Sequence, residues 1–166
     1  MSDSSVDLTY RSGSVYLKGY PLPFMLVTKK FMADLQRDMA RIMGESSAKA
    51  LFYRVGYMGG SRGVRNLKEE NPNLTEKDAV MAFINLFNRA AWGETELLSM
   101  SGEGIIVRIS HSYGEEYGEI GRDVCYLIQG IFAGVLAEAT GRKTRAEEVR
   151  CVGKGDPYCE IVVRFL

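Results

Sequence analysis

Cys151-Val152-Gly153-Lys154-Gly155-Asp156-Pro157-Tyr158-Cys159 is a turn-forming run bracketed by two thiols. The two cysteines are symmetric about Gly155, so a hairpin turning there sets them side by side across adjacent strands. The third cysteine of the chain, Cys125, begins an apolar run to Ala139 with helical pattern, and Glu148 stands three residues before Cys151. Three thiolates and a carboxylate complete a tetrahedral zinc shell. The closing third of the chain therefore reads as a helix and two strands, about 145–152 and 159–165, gathered around one group of ligand atoms.

Strand geometry leaves the carboxylate open. Side chains alternate along a strand, so Glu147 shares the face of Cys151, while Glu148 reaches it only if a bulge interrupts the strand near Val149 or Arg150. The metal-free alternative is three small buried thiols, with Cys159 on a core face beside Ile161, Val163 and Phe165.

Outward from this unit, residues 1 to 13 read as a disordered lead, and 14 to 166 as a single domain. Ser14 to Lys18 alternates like a short strand. Apolar residues at 24, 27, 31, 35, 39 and 42 trace one face of a helix over 24–43 that Gly44 stops. A second helix, capped by Ser46 or Ser47 and carrying Leu51, Phe52 and Val55 inward, is expected to dissolve in the glycines from 56 to 63. Thr75 and Asp78 open a third helix with Val80, Phe83, Ile84, Phe87 and Ala91 inward. Period two then marks a hairpin, 94–100 and 104–110, before a Gly- and Tyr-rich loop over 112–121 leads to the cysteine-bearing helix.

Composition is that of an ordinary globule, 46% hydrophobic and 25% charged, with 21 basic against 21 acidic residues. That balance gives no broad footprint for nucleic acid; Arg62 with Arg65, and Arg142 to Arg145, read as solvated faces. The first seven residues lack the features of a signal peptide. The longest apolar run, Val124 to Ala139, falls short of a membrane span. Three cysteines cannot all pair within the chain, which favours reduced thiols and a cytoplasmic location.

Glu148-Val149-Arg150-Cys151, then Gly155-Asp156-Pro157-Tyr158-Cys159-Glu160 and an apolar strand, resemble the carboxy-terminal signature of the 4-vinyl reductase domain family. The helix from Cys125 to Gly141, with Gly130 and Gly134, fits the same pattern. The resemblance implies an α+β fold, an antiparallel sheet with helices packed on one face, of the ligand-binding type used in NO signalling and Golgi transport. It is shared with the small vesicle-tethering subunits of the transport-protein particle. In the aromatic-sensing members a cysteine on this helix joins the glutamate and the cysteine pair in binding zinc. The zinc ligands that follow are Cys125, Glu148, Cys151 and Cys159. With four protein ligands such a site is closed to water and serves folding.

The function implied is a zinc-stapled domain that binds a small hydrophobic ligand, aromatic compounds included, and signals through a homodimer or a protein partner. The first helix, with Met25, Met32, Met39 and Met43, offers an adaptable apolar surface for either. Phe83, Phe87, Trp92, His111 and Tyr126 are the candidate pocket residues, with Tyr113 and Tyr117 near them in sequence. The phenol-sensing relatives hold a ligand hydroxyl with a histidine and a tryptophan; His111 and Trp92 are the only residues of those types here, and no motif ties them to those positions. Outside a pocket His111 is a strand-end histidine, and the aromatics are core or surface residues.

Two rival functions stand beside this one. A scaffold like the vesicle-tethering subunits needs assembly interfaces and no ligand. A reductase of a vinyl group in tetrapyrrole synthesis needs a hydride source, and neither a dinucleotide fingerprint nor a flavin motif is visible. The glycines at 56, 59, 60 and 63 lack the lysine of a phosphate loop and read as close helix packing, as do Gly130 and Gly134.

Overall fold

The computed structural model describes residues 8 to 166. Leu8–Arg11 (β1) and Ser14–Leu17 (β2) form a hairpin. Leu8–Arg11, assigned from sequence to a disordered lead, are therefore a paired strand; residues 1 to 7 lie outside the described residues. Lys29–Met43 (α1), Glu45–Glu70 (α2) and Glu76–Arg89 (α3) follow. Glu94–Ser101 (β3) and Gly104–Ser110 (β4) come next, then Tyr126–Thr140 (α4), Thr144–Arg150 (β5) and Cys159–Phe165 (β6).

Strands β3, β4, β6 and β5 lie in that order in one antiparallel sheet. Ile105, Val107 and Ile109 of β4 pair with Val163, Ile161 and Cys159 of β6, and all six are buried on one face. The opposite face carries Arg108, Glu160, Arg164 and Glu147. This is the expected α+β arrangement with helices over one side, because a period-two pattern offers a single apolar face for them to cover.

Helix α4 is buried on nearly every side, as its all-round apolar sequence requires. It crosses α2 backbone to backbone: a Cβ at Gly60 would sit 2.0 Å from the carbonyl oxygen of Ile131, and one at Gly134 2.0 Å from that of Tyr57. Gly56 and Gly130 are in the same position against Leu127 and Tyr53. Helix α2 consequently runs through the glycines instead of dissolving there. Each glycine costs about 1 kcal/mol of helix propensity, and the dispersion contacts of two touching backbones offset it. Ser61 and Arg65 of α2 close the crossing on Glu138, at 2.5 and 2.9 Å.

Helix α1 also departs from expectation. It starts at Lys29, where Thr28 caps it by accepting from the N–H of Phe31 at 3.1 Å. Phe24 is extended and bridges Val15 through two backbone hydrogen bonds. Much of its apolar face is turned out: Phe31, Leu35 and Ile42 are 51%, 41% and 80% exposed, while Met39 of the same stripe packs against the core and Ala33 and Gln36 are buried. In α3 the stripe Val80, Phe83, Ile84 and Phe87 is buried as expected, but the helix ends at Arg89 and Ala91 adopts a left-handed conformation, φ 59°. Among the described residues no helix is long and apolar enough to cross a membrane.

Candidate functional site

Strand β5 ends at Arg150, two residues short of the sequence reading, because Cys151 is held in a tight loop. The Cys151 N–H donates to Asp156 Oδ2 at 2.8 Å, and its carbonyl accepts from the N–H groups of Lys154 and Asp156. The Gly153 carbonyl next to it accepts from Ile120, Gly121 and Arg122, fastening this loop to the segment that leads into α4. Cys125 stands at the N-cap of α4.

The register of β5 against β6 shifts between Glu148, opposite Ile161, and Arg150, opposite Glu160. Val149 is thus the extra residue of a bulge, and the bulge turns Glu148 and Cys151 toward the same interior point. Glu148 is 7% exposed. Glu147 lies on the outer face, 3.8 Å from Arg145 and 3.6 Å from Arg164. Local alternation by itself favours Glu147, and the bulge reverses that choice.

One ligand atom from each of Cys125, Glu148, Cys151 and Cys159 lies within 4.8 Å of all the others, and all four residues are buried. The Cys125 and Cys159 sulfurs are 3.3 Å apart. Glu148 Oε2 accepts from the Cys125 N–H at 3.3 Å and from Gln129 Nε2 at 3.1 Å. Its Oε1 is buried without a hydrogen-bond partner among the described residues. Burial pushes the Glu148 carboxyl up to about 8, and the Cys151 sulfur adds to the rise. Hydrogen bonds from Cys125 and Cys159 pull Cys151 down, to about 2, and the Cys125 thiol moves well up as their donor. Three soft sulfurs, one orphaned carboxylate oxygen and a four-atom cluster of this size fit a tetrahedral divalent ion such as zinc.

A second feature adjoins the cluster. A mainly apolar cavity of about 230 Å³ opens between the β1–β2 hairpin, the extended segment around Phe24, the start of α1 and the end of α3. Val15, Leu17, Phe24, Met32, Trp92 and Tyr113 are among its walls, with Lys29 and Arg89 as its charged residues. Tyr113 connects the two features. Its ring lines the cavity, its neighbour Ser112 has Oγ 3.7 Å from Cys125 Sγ, and a Cβ at Gly114 would lie 2.7 Å from that sulfur.

Of the five candidate pocket residues, Trp92 alone is in this wall. Phe87 stacks behind it, ring centroids 6.0 Å apart, and Phe83 packs deeper, against Gly63 and Phe132. Tyr126 points elsewhere and donates to Glu45 Oε1 at 2.6 Å. His111 is a strand-end residue with φ 57°, its ring largely exposed 3.5 Å from Glu115. The walls that sequence reading missed come from the hairpin, from residues 24 to 29, from Met32 and from Arg89, Ala90 and Ala91 at the end of α3. Pro21 and Pro23 constrain only Tyr20 and Leu22; Thr28, a residue type favoured at the N-cap, was the available signal for a helix start at Lys29.

Residues 113–165 match the model of the 4-vinyl reductase domain, and residues 3–103 match the model described as activator of aromatic catabolism. The phenol regulator MopR of Acinetobacter guillouiae is 22% identical over a 149-position alignment that covers 83% of this chain and 27% of that protein. This chain therefore spans about a quarter of the regulator's length. The crystal structure of the phenol-responsive sensory domain of the transcription activator PoxR with phenol superposes with a TM-score of 0.84 at 20% identity, covering 95% of this chain and 84% of that one. A trafficking protein particle complex subunit 3 from Naegleria fowleri, covalently bound to palmitic acid, gives 0.59 at 16% identity, over 83% and 95% of the two chains. With more than half of its length matched by the one model and its closing third by the other, the chain belongs to the activator of aromatic catabolism family and carries a 4-vinyl reductase domain.

Proposed function

We propose that this chain is a metal-stapled sensor domain that takes up a small, mainly apolar ligand of aromatic size beside Trp92. The observation that carries the proposal is the cavity itself, walled by Trp92 and Tyr113 and joined through Ser112 and Tyr113 to the thiol and carboxylate cluster. A cavity of about 150 Å³ already admits benzene, so about 230 Å³ admits one ring with a substituent. The phenol-binding domain of PoxR, alike in fold, and the phenol regulator MopR support an aromatic ligand.

Cys125, Cys151, Cys159 and Glu148 would hold zinc, and four protein ligands make that ion a structural cross-link between α4 and the β5–β6 unit. Thiolate ligands persist in a reducing compartment, which supports a cytoplasmic location. Phe31, Leu35 and Ile42, exposed along α1, supply an apolar stripe suited to a second copy of the chain, and through it an output. Native mass spectrometry of the intact chain tests the proposal. One zinc per chain and a mass shift with at least one member of a panel of small aromatic compounds, phenols and benzoates among them, are expected, and a metal-free, ligand-indifferent protein would overturn it.

A further inference from the structure

Resting on the cavity reading above, we infer that the ligand held beside Trp92 carries a carboxylate, so that its class is a hydrophobic monocarboxylate and not a neutral phenol or hydrocarbon. The polar side chains in the wall are Thr28, Lys29, Arg89, Trp92 and Tyr113, and no acidic residue among the described residues lines it. An ammonium, a guanidinium and an indole N–H are donors only. Thr28 Oγ1 accepts from the Phe31 N–H and keeps its hydroxyl hydrogen and one lone pair. The Tyr113 hydroxyl is engaged away from the cavity with Gln36 and the Val124 carbonyl. The wall side chains therefore combine an apolar slot with two cations and an indole donor.

Both cations lack a carboxylate partner among the described residues. Lys29 Nζ donates to the His111 carbonyl, and Arg89 Nη2 to the Lys18 carbonyl at 2.5 Å. Three N–H groups on one and five on the other leave donors to spare. The position of Lys29 is also unfavourable for the helix it opens. It is the first residue of α1, where the dipole disfavours a cation, and no acid stands in that first turn to compensate. Lys30 beside it is neutralised by Asp34 at 2.9 Å, one turn on. A local rule broken at a cavity mouth points to a ligand that restores the balance. A carboxylate does so, accepting from the guanidinium in a fork and from the ammonium. A neutral phenol, by contrast, brings no charge to offset the two cations.

Titration calorimetry and thermal-shift measurements on the full chain, with benzoate and 4-methylbenzoate set against phenol, 4-methylphenol and toluene, and octanoate as an alkyl carboxylate, test the inference. The carboxylates are expected to bind about tenfold or more tighter than neutral compounds with the same ring. Arg89→Gln and Lys29→Gln should each weaken them by about 10- to 100-fold, the loss expected for a charge-assisted hydrogen bond, and the ratio of carboxylate to neutral affinity should fall with them. Octanoate binding above the benzoates would uphold the carboxylate and assign the slot to alkyl chains. Neutral phenols binding while carboxylates do not, or carboxylate affinity unmoved in both variants, would overturn the inference and leave the cavity reading intact. No response to any probe would overturn both.

Discussion

Tyr113 and Gln36 satisfy each other in the interior: the tyrosine hydroxyl donates to Gln36 Oε1 at 3.0 Å. Gln36 Nε2 donates in turn to the Val124 carbonyl at 2.7 Å and to the Tyr117 hydroxyl at 2.9 Å. Through this pair α1 is tied to the loop before α4, and so to the residue preceding Cys125. Tyr113→Phe removes the donor and leaves a buried amide oxygen alone, at a cost of about 1–3 kcal/mol. Urea unfolding of the two proteins measures it. A change within experimental error would show that the amide oxygen finds another donor.

The cluster makes a prediction that separates two adjacent acids. Cys159→Ser and chelation by EDTA should each remove zinc and lower the melting temperature, on the order of 10 °C for the loss of a few kcal/mol in a chain of this length. Glu148→Gln should lower zinc retention, whereas Glu147→Gln, on the outer face, should leave it unchanged. Metal content by mass spectrometry with parallel melting curves decides between them.

The helix crossing separates two glycines that are neighbours in sequence. Gly60→Ala places a methyl against the Ile131 carbonyl oxygen and should cost about 3 kcal/mol. Gly59→Ala meets nothing within 4 Å and should stabilise the protein by roughly 0.5–1 kcal/mol. Equal effects of the two substitutions in chemical denaturation would contradict the packing described.

Glu138 sets part of the acid limb of stability. Its hydrogen bonds with Arg65 hold its carboxyl below the usual carboxylate range; burial opposes this, and the Ser61 hydroxyl assists it. A depressed folded value means that the unfolded chain binds the proton more readily, so this contribution is present above the unfolded pKa and disappears as pH falls through the folded one. Glu138→Gln should therefore flatten the decline of melting temperature below about pH 4.5. Added salt should shrink the difference, since Arg65 is more than half exposed.

The outward stripe of α1 predicts self-association. Ile42→Ser with Phe31→Ser should shift the sedimentation of the chain from dimer to monomer without lowering its melting temperature in dilute solution, because neither side chain is buried in the single chain. A parent protein that sediments as a monomer would remove the dimer from the proposed function.

The sheet, α3 and α4 were legible in the sequence because their patterns have one competitor-free period: two along β4 and β6, and an all-apolar run in α4. The start of α1 was not. Phe24 and Val27 share the helical phase of Phe31 and Leu35, yet they belong to an extended segment that pairs with β2. Periodicity cannot tell which side of a helix meets the rest of the molecule, so the outward turn of α1 and the buried Gln36 were hidden as well. Much of the cavity wall depends on that same amino-terminal geometry, which is why one of the five candidate aromatic and histidine residues lines it. At the cluster the four residue types and their spacing were readable, and the choice between Glu147 and Glu148 turned on a bulge that strand alternation cannot encode.

Where α2 meets α4, the obstacle facing each added Cβ is the main chain of the other helix, at 2.0 to 2.1 Å for all four glycines. Trimming a neighbouring side chain cannot make room for a substitution there, since every residue carries the same carbonyl. Second-site suppressors of a change at 56, 60, 130 or 134 are thus expected away from the crossing, in residues that let the whole of α2 slide outward, and the quartet will tolerate mutation only as a unit.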